Sequence, residues 1–547
     1  MAKSAGAAEA AAAAKSSFDV VDVDVVVVGA GFAGLYMLHR LRGMGFSARV
    51  IEAGKGVGGT WYWNRYPGAR CDGESLLYSY GFSNALQQEW TWTERYAGQP
   101  EILAYANHVA DRFDLRRDIQ FETRVTAATF DDAGGTWQVE TDRGDRLTAR
   151  YVVMASGCLS MAAAPKLPGA ETFTGQTYHT GQWPHDGVDF TGKRVAVIGT
   201  GSSGIQAIPR IAAQAKHLTV FQRTAQYTIP AWNGPLDPRT VEEFKARYPE
   251  IRTAQKNSFN GNNTTFKHAE TFGVTAEERQ RIYEEAWQKG GFVFLATFAD
   301  LLFDKSANDT VAEFVRAKLR SIVEDPQVAE LLTPKTIFGC KRLCVDTDYW
   351  STYNRDNVSL VDISSSPIER LVPEGIVVAG KTYPVDAIVF ATGFDAVTGA
   401  LDRIDIRSTS GGRLKAHWQD GPRTYLGLAI HGFPNLFTIT GPQSPSVLTN
   451  MMPSIEYHVD WISDCLAHLR HTGKRRIQAR KEAEDDWVTE VSRLADGTLR
   501  PQCNSWYVGA NVPGKPRVYL AYVAGIPPYK KRCDEVAGRG YEGFVLA

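Results

Sequence analysis

The chain has 547 residues, 44% of them hydrophobic and 22% charged, with a formal net charge of −1. That length exceeds what one hydrophobic core holds, so two or three domains are expected. The near-zero charge gives no basis for nucleic acid or an anionic membrane as a partner, and the longest strongly apolar runs, such as Val25 to Val28, fall far short of a membrane span.

The opening "MAKSAGAAEAAAAAKSS" is Ala-rich, is interrupted by Glu9 and lacks the Leu/Val core of a signal peptide, so residues 1–19 read as a disordered tail. Cys71, Cys158, Cys340, Cys344, Cys465, Cys503 and Cys533 are scattered, odd in number and without a C-x-x-C pair. That pattern predicts a reducing compartment, with no disulfide framework, zinc site or dithiol centre. A soluble, cytoplasmic protein is the expectation, as a monomer or weak homo-oligomer.

The first element is a β-branched run, Val23 and Val25 to Val28, followed by Gly29-Ala30-Gly31-Phe32-Ala33-Gly34. A helical spacing of Leu35, Leu38 and Leu41 comes next, then a strand "SARVIE" ending at Glu52. In such a βαβ unit one glycine makes the tight turn, one admits a pyrophosphate and one lets helix pack on strand, while the terminal acid accepts from a ribose hydroxyl. The pattern recurs in "KRVAVIGTGSSGIQAIPRIA", with Gly199-Thr200-Gly201-Ser202-Ser203-Gly204. Its second strand, "LTVFQRT", ends in Arg223 rather than an acid. A carboxylate there repels a 2′-phosphate and an arginine pairs with it, so the first site suits a ribose with free hydroxyls and the second suits NADP.

Each unit is followed by a predicted β-ribbon and a small-residue turn, Ala155-Ser156-Gly157 in the first and Ala391-Thr392-Gly393 in the second, which makes an internal repeat. Between them lies a mainly helical insertion. Thr275 and Glu278 form a capping box, and Val311, Phe314, Val315, Leu319 and Ile322 share one helical face, the mark of packing rather than ligand contact. The fold class is therefore α/β, with two Rossmann-like dinucleotide-binding domains. The expected division is a first domain over 20–160 and 389–547, a second over 161–225 and 335–388, and the insertion over 226–334.

"FTGQTYHTGQWPHDG" carries Phe173, Gly175, His179, Trp183 and Pro184, and "GGTWYWNRYPGARCD" carries Gly59, Trp61, Tyr66, Pro67, Gly68 and Asp72. On these motifs, from about Val23 to the C-terminus, the sequence resembles the type I Baeyer–Villiger monooxygenases, FAD- and NADPH-dependent class B flavoproteins. "GPRTYLGL", "SWYVGANVPGKPR" and "YEGFVLA" are most similar to the branch acting on aryl and cyclic ketones.

The resemblance implies that NADPH reduces FAD, that O2 forms a C4a-peroxyflavin, and that a cyclic, aryl or aliphatic ketone leaves as an ester or lactone, with sulfide oxidation as a side activity. It implies no metal. Arg342 matches the active-site arginine, able to steady anionic oxygen because guanidinium stays charged. Asp72 matches the acid that holds it. For FAD the carried-over residues are Gly29, Gly31, Phe32, Gly34, Glu52, Thr60, Trp61, Asp72, Tyr78, Val125 and Met451. For NADP they are Arg70, Thr200, Gly201, Ser202, Ser203, Gly204, Gln206, Arg223, Thr224, Lys341, Arg342 and Trp506. His179 and Trp183 are implied to couple nicotinamide binding to domain motion.

Gly441 to Glu456 is expected to border the substrate, with "TGQW" and the insertion nearby and the small Ser444 and Ser446 leaving room. Three other readings share parts of this pattern. A flavin N- or S-oxygenase has other residues where Trp183-Pro184 stands, a disulfide reductase needs a cysteine pair at the flavin, and a non-catalytic FAD/NADPH sensor leaves Arg342 and Asp72 without purpose.

Overall fold

The computed structural model describes residues 21–262 and 264–547; the Ala-rich tail expected over 1–19 lies outside them. Two parallel sheets organise the chain. In the first, β1 (Val23–Val28) pairs in parallel with β2 (Ala48–Ile51) on one side and with β6 (Arg146–Met154) on the other. β3 (Ile119–Gln120) extends the edge beyond β2. The N-terminal half of β6 continues antiparallel into β5 (Thr136–Thr141) and β4 (Val125–Asp131), and its C-terminal half pairs in parallel with 433–438.

The second sheet is parallel throughout. Its order is 358–362, β9 (His217–Gln222), β8 (Arg194–Ile198), 387–390 and β7 (Gln176–His179).

The period-two alternation of strand side chains decides the layers in both sheets. Val25 and Val27 of β1 join a core with α1 (Phe32–Gly43), including Leu35, Leu38 and Leu41, whereas Val26 and Val28 face the ribbon through Phe130, Trp137 and Val139. In the second sheet Val195 and Val197 face α2 (Ser202–Ala212) and the insertion helices, while Ala196 and Ile198 face the hairpin residues Ile376 and Val378. Helices cover one face and a β-ribbon the other, twice in one chain. The insertion carries helices at 238–246, 248–257, 276–289, 305–322 and 326–332. The Thr275 hydroxyl accepts from the Glu278 N–H at 3.2 Å, and Val311, Phe314, Val315 and Leu319 are buried. Among the described residues no helix is long and apolar enough to cross a membrane.

Both glycine turns approach their sheets too closely for a side chain. A Cβ on Gly34 would lie 1.8 Å from the Gly29 carbonyl oxygen, and one on Gly204 would lie 2.3 Å from that of Gly199. Gly29 and Gly199, at φ +106° and +109°, run against the carbonyls of Ala155 and Ala391, the small residues of the returning strands.

Contrary to the cysteine reading above, Cys340 and Cys503 form a disulfide, their Cα atoms 6.0 Å apart. Their separation of 163 residues has no local signature, so spacing alone misses it.

Gly34→Ala should destabilise the fold by about 3 kcal/mol or more, because the helix must leave the strand. Gly43→Ala, at the end of the same helix with nothing within 4 Å of the new methyl, should leave the melting temperature unchanged or slightly higher. Thermal melts of the two variants beside the parent check the contrast.

Candidate active site

A cavity of about 600 Å³ opens where the C-terminal ends of the first sheet meet the second glycine turn and the insertion. Ligand sites of doubly wound sheets form at such ends. The first turn reaches it through Gly29, Gly31 and Phe32. Gly31 caps α1 without a side-chain hydrogen bond, and the first helical turn holds no acid, so its backbone N–H groups and positive dipole end are left for an anion. Gly201 opens α2 in the same way.

Glu52, 5% exposed, accepts from the N–H of Ala30 and of Gly54, each at 2.7 Å. Burial pushes its carboxyl up from the ordinary range, and these two donors oppose that shift. Each oxygen keeps a lone pair for a ribose hydroxyl. Thr60, Trp61, Tyr78, Val125 and Met451 complete this wall, with the Trp61 indole donating to the Tyr78 hydroxyl at 3.1 Å. The first turn therefore fits a dinucleotide with free ribose hydroxyls.

The stretch from Tyr66 to Asp72 crosses from the first unit onto α2. Gly68, at φ +84°, lies so close that a Cβ would stand 2.3 Å from the Gln206 carbonyl. The Gln206 amide accepts from the Tyr66 hydroxyl at 2.8 Å and from the Arg70 N–H at 3.3 Å, and donates to the Arg70 carbonyl at 3.1 Å. Arg70 is held in turn by Glu94 at 3.1 Å.

This docking delivers Asp72, whose Oδ2 accepts from Nε and Nη2 of Arg342 at 3.2 and 3.1 Å. The Asp72 side chain is 5% exposed, while about a third of Arg342, 34%, stays open toward the cavity. Burial raises the Asp72 carboxyl, against the pull of Arg342. Burial works against the Arg342 charge, but Asp72, Tyr507 and Cys344 together outweigh it and hold the guanidinium's pKa above its already high value. The cation is permanent at any working pH.

Lys341 and Trp506 also line the cavity, as do Arg70, Ser202 and Gln206. Burial, then the nearby Arg223 cation, lowers the Lys341 ammonium pKa, so the two cations form one positive corner. Thr200, Gly201, Ser203, Gly204, Arg223 and Thr224 lie outside the cavity lining, grouped at the second turn; the Thr200 hydroxyl donates to the Thr224 carbonyl at 3.0 Å.

His179 and Trp183 do not reach the cavity. Trp183 is buried on Tyr178 and Phe190. His179 caps the next turn through the Gly181 N–H at 2.9 Å and contacts Thr392 at 3.3 Å and the Phe394 ring. It thus bridges the strand leaving one unit and the linker returning to it.

Val447 to Met451 and Ile455 of the 441–456 stretch line the cavity, as do Asn260, Asn262, Phe292 and Leu295 of the insertion. The two serines differ from expectation. Ser444 is fully buried, its hydroxyl turned to the Gly441 carbonyl at 2.6 Å; neither it nor Ser446 lines the cavity, nor does any residue of "TGQW". Turn-forming serines satisfy their own backbone instead. Val447, Leu448, Phe292, Leu295, Leu343 and Tyr507 form the apolar wall. Val447 and Leu448 lie in the 441–456 stretch, Phe292 and Leu295 in the insertion, and Tyr507 stands beside Trp506 in "SWYV". Asn450 caps the helix 451–471 at the Met452 N–H and donates to the Leu77 carbonyl at 3.1 Å and to Asn262 of the insertion at 3.3 Å.

A family model described as pyridine nucleotide-disulphide oxidoreductase matches residues 26–297. "Baeyer-Villiger monooxygenase" of Pseudooceanicola batsensis is 44% identical over 96% of this chain and 96% of its own length. The chain belongs to the type I Baeyer–Villiger monooxygenases. A second relative in the same range, "Phenazine N-monooxygenase PhzNO1" of Lysobacter antibioticus, is 41% identical over 96% of this chain and 98% of its own. The solved structure described as "Oxidized steroid monooxygenase bound to NADP" is 54% identical, covers 96% of this chain and 99% of that one, and superposes with a TM-score of 0.92. With the family shown at this identity and coverage, the disulfide-reductase reading falls.

Replacing Glu52 with alanine removes the acceptor for two backbone donors at the first glycine turn. Hydrogen bonds to a charged group are worth about 1.5–3 kcal/mol, so flavin affinity should fall on the order of 10- to 100-fold. The flavin-to-protein absorbance ratio after purification, and titration of the stripped protein with FAD, measure it.

Proposed function

We propose that Arg342, held by Asp72, is the catalytic cation of a Baeyer–Villiger monooxygenase that uses FAD and NADPH to convert ketones into esters or lactones. The ion pair at the meeting point of the two nucleotide turns carries this reading. Bound FAD supplies the two-electron route from NADPH to O2.

Every other contribution comes from the chain. The N-termini of α1 and α2 hold the two pyrophosphates by free N–H groups, and Glu52 holds the flavin nucleotide's ribose. Arg223, Lys341 and Thr224 clasp the 2′-phosphate of NADPH. Arg342 offers donors where negative charge builds on oxygen as the carbonyl is attacked, and Asp72 keeps those donors aimed while balancing their charge. Val447, Leu448, Phe292, Leu295 and Leu343 exclude water and seat an apolar ketone. Trp506 covers the nicotinamide side. His179, in contact with Thr392 and Phe394, transmits nucleotide binding to the linker. A cytoplasmic location and a monomer or weak homo-oligomer belong to the same reading.

A second substrate class has one specific support. A relative of 41% identity is named for N-oxygenation, so an electron-rich nitrogen heterocycle is the alternative acceptor of the oxygen atom.

Screening cyclohexanone, phenylacetone, larger cyclic ketones and a phenazine for NADPH- and O2-dependent products decides between the two classes. Arg342→Ala should abolish ester formation by 1000-fold or more, on the order expected for losing a preorganised oxyanion donor. It should keep flavin reduction by NADPH in stopped flow, and near-native lactone yield from this variant would refute the assignment.

Arg223→Ala should raise the KM for NADPH about 10- to 100-fold, a lost charge-assisted contact, and leave the KM for NADH nearly unchanged. Equal effects on both coenzymes would remove the phosphate role.

A further inference from the structure

The segment that begins at Leu499 runs past the cavity as a strap. It contributes Arg500, Trp506 and Tyr507 to the lining, while Lys341 and Arg342 come from the loop opposite. Non-covalent holds tie it at both ends. The Leu499 N–H donates to the Leu302 carbonyl at 2.9 Å and Arg500 donates to the Gly339 carbonyl at 3.2 Å. Beyond Trp506, Asn511 donates to the Phe394 carbonyl at 2.6 Å and Lys515 pairs with Asp395 at 2.7 Å. One covalent hold joins the strap to the arginine loop itself, the bond between Cys503 and Cys340. Cys340 immediately precedes Lys341 and Arg342, and Cys503 stands three residues before Trp506. The other five cysteines are free, and four of them are buried.

We propose that the Cys340–Cys503 disulfide is a redox latch that fixes the Trp506 strap over the active-site cavity and releases it when a dithiol reduces the bond.

The two sulfurs differ in access. Cys340 is fully buried, whereas Cys503 is 7% exposed and lies on a separate surface hollow of about 300 Å³, lined also by Asp496, Asn504 and Arg517. A dithiol's thiolate therefore attacks Cys503, forming a mixed disulfide and expelling Cys340 as a thiolate. That leaving group is followed in the chain by Lys341 and Arg342. The second thiol then displaces Cys503. The dithiol ends as a cyclic disulfide, two electrons and two protons having passed to the cysteines. With the bond intact the strap is already ordered before the nucleotide binds; with it open, binding must order the Arg500–Tyr507 segment against thermal motion. In a reducing cytoplasm, the location proposed above, a lone disulfide is transient or redox-sensing more often than structural.

This inference rests on the cavity being the nucleotide and ketone site, so its test includes two readouts that need no turnover. Holoenzyme denatured without reductant should show five free thiols, rising to seven after dithiothreitol. Chymotrypsin cleavage after Trp506 or Tyr507, mapped by mass spectrometry, should speed up in the reduced holoenzyme. The Kd for NADP+ should rise roughly three- to tenfold on reduction, the cost of ordering one or two side chains, and return on reoxidation. The double variant C340S/C503S should behave as the reduced enzyme with or without dithiothreitol.

Seven free thiols in the unreduced protein would overturn the latch, and so would a bridge whose reduction changes neither cleavage nor NADP+ binding. The wild-type arms decide this even if the double variant fails to fold. A latch that responds while no ketone is oxidised would instead count against the proposed substrate class alone.

Discussion

The contact between Asp72 and Arg342 joins residues 270 positions apart and closes the cavity from two sides. Taking either charge out of water alone is costly, and each makes the burial of the other tolerable. For the pair to form, the Tyr66–Asp72 stretch must lie on α2, which requires Gly68 and the Gln206 amide. The loop carrying residue 342 must also return from the far side of the insertion. Much of the topology reads as the means of bringing these two ends together. The glycine turns hold nucleotides, the crossing stretch carries the acid, and the insertion and strap supply walls around the exposed third of the guanidinium.

Several parts of this arrangement were legible in the sequence because their signals are local. The β-branched run at 25–28, the G-x-G-x-x-G spacing and the Leu35/Leu38/Leu41 helix face each report a few adjacent residues, and each has a twin further along the chain. The acid at Glu52 and the basic end at Arg223 follow from strand length and the side on which a ribose lies. Arg342 and Asp72 came from family motifs rather than from physics, since a lone arginine or a lone aspartate after Pro-Gly says little about its partner.

What was not legible depends on contacts between distant segments. Ser444 and Ser446 are small, which suggested room, but both are buried away from the cavity, and the Ser444 hydroxyl turns to the Gly441 carbonyl. The apolar wall does draw on the 441–456 stretch through Val447 and Leu448, but which residues of the insertion and of the 342 loop join it, Phe292, Leu295 and Leu343, depends on tertiary packing. The cysteine count pointed away from any bridge, because parity and spacing describe small disulfide-rich frameworks and not one bond across 163 residues. Trp183 and His179 showed a pattern without a position. Packing puts one inside a core and the other at a linker.

Asn450 has a consequence for how such a site can change over time. One amide side chain begins the helix at 451, grips the Leu77 carbonyl of the flavin-side loop and touches Asn262 of the insertion. Remodelling of the ketone-facing segments therefore meets a fixed point here, beside the bonds that Arg252 and Gln255 of the insertion also make to Leu77. A change at residue 450 would disturb the helix start, the Leu77 loop and the insertion together, whereas a change at Leu448 touches none of these three bonds.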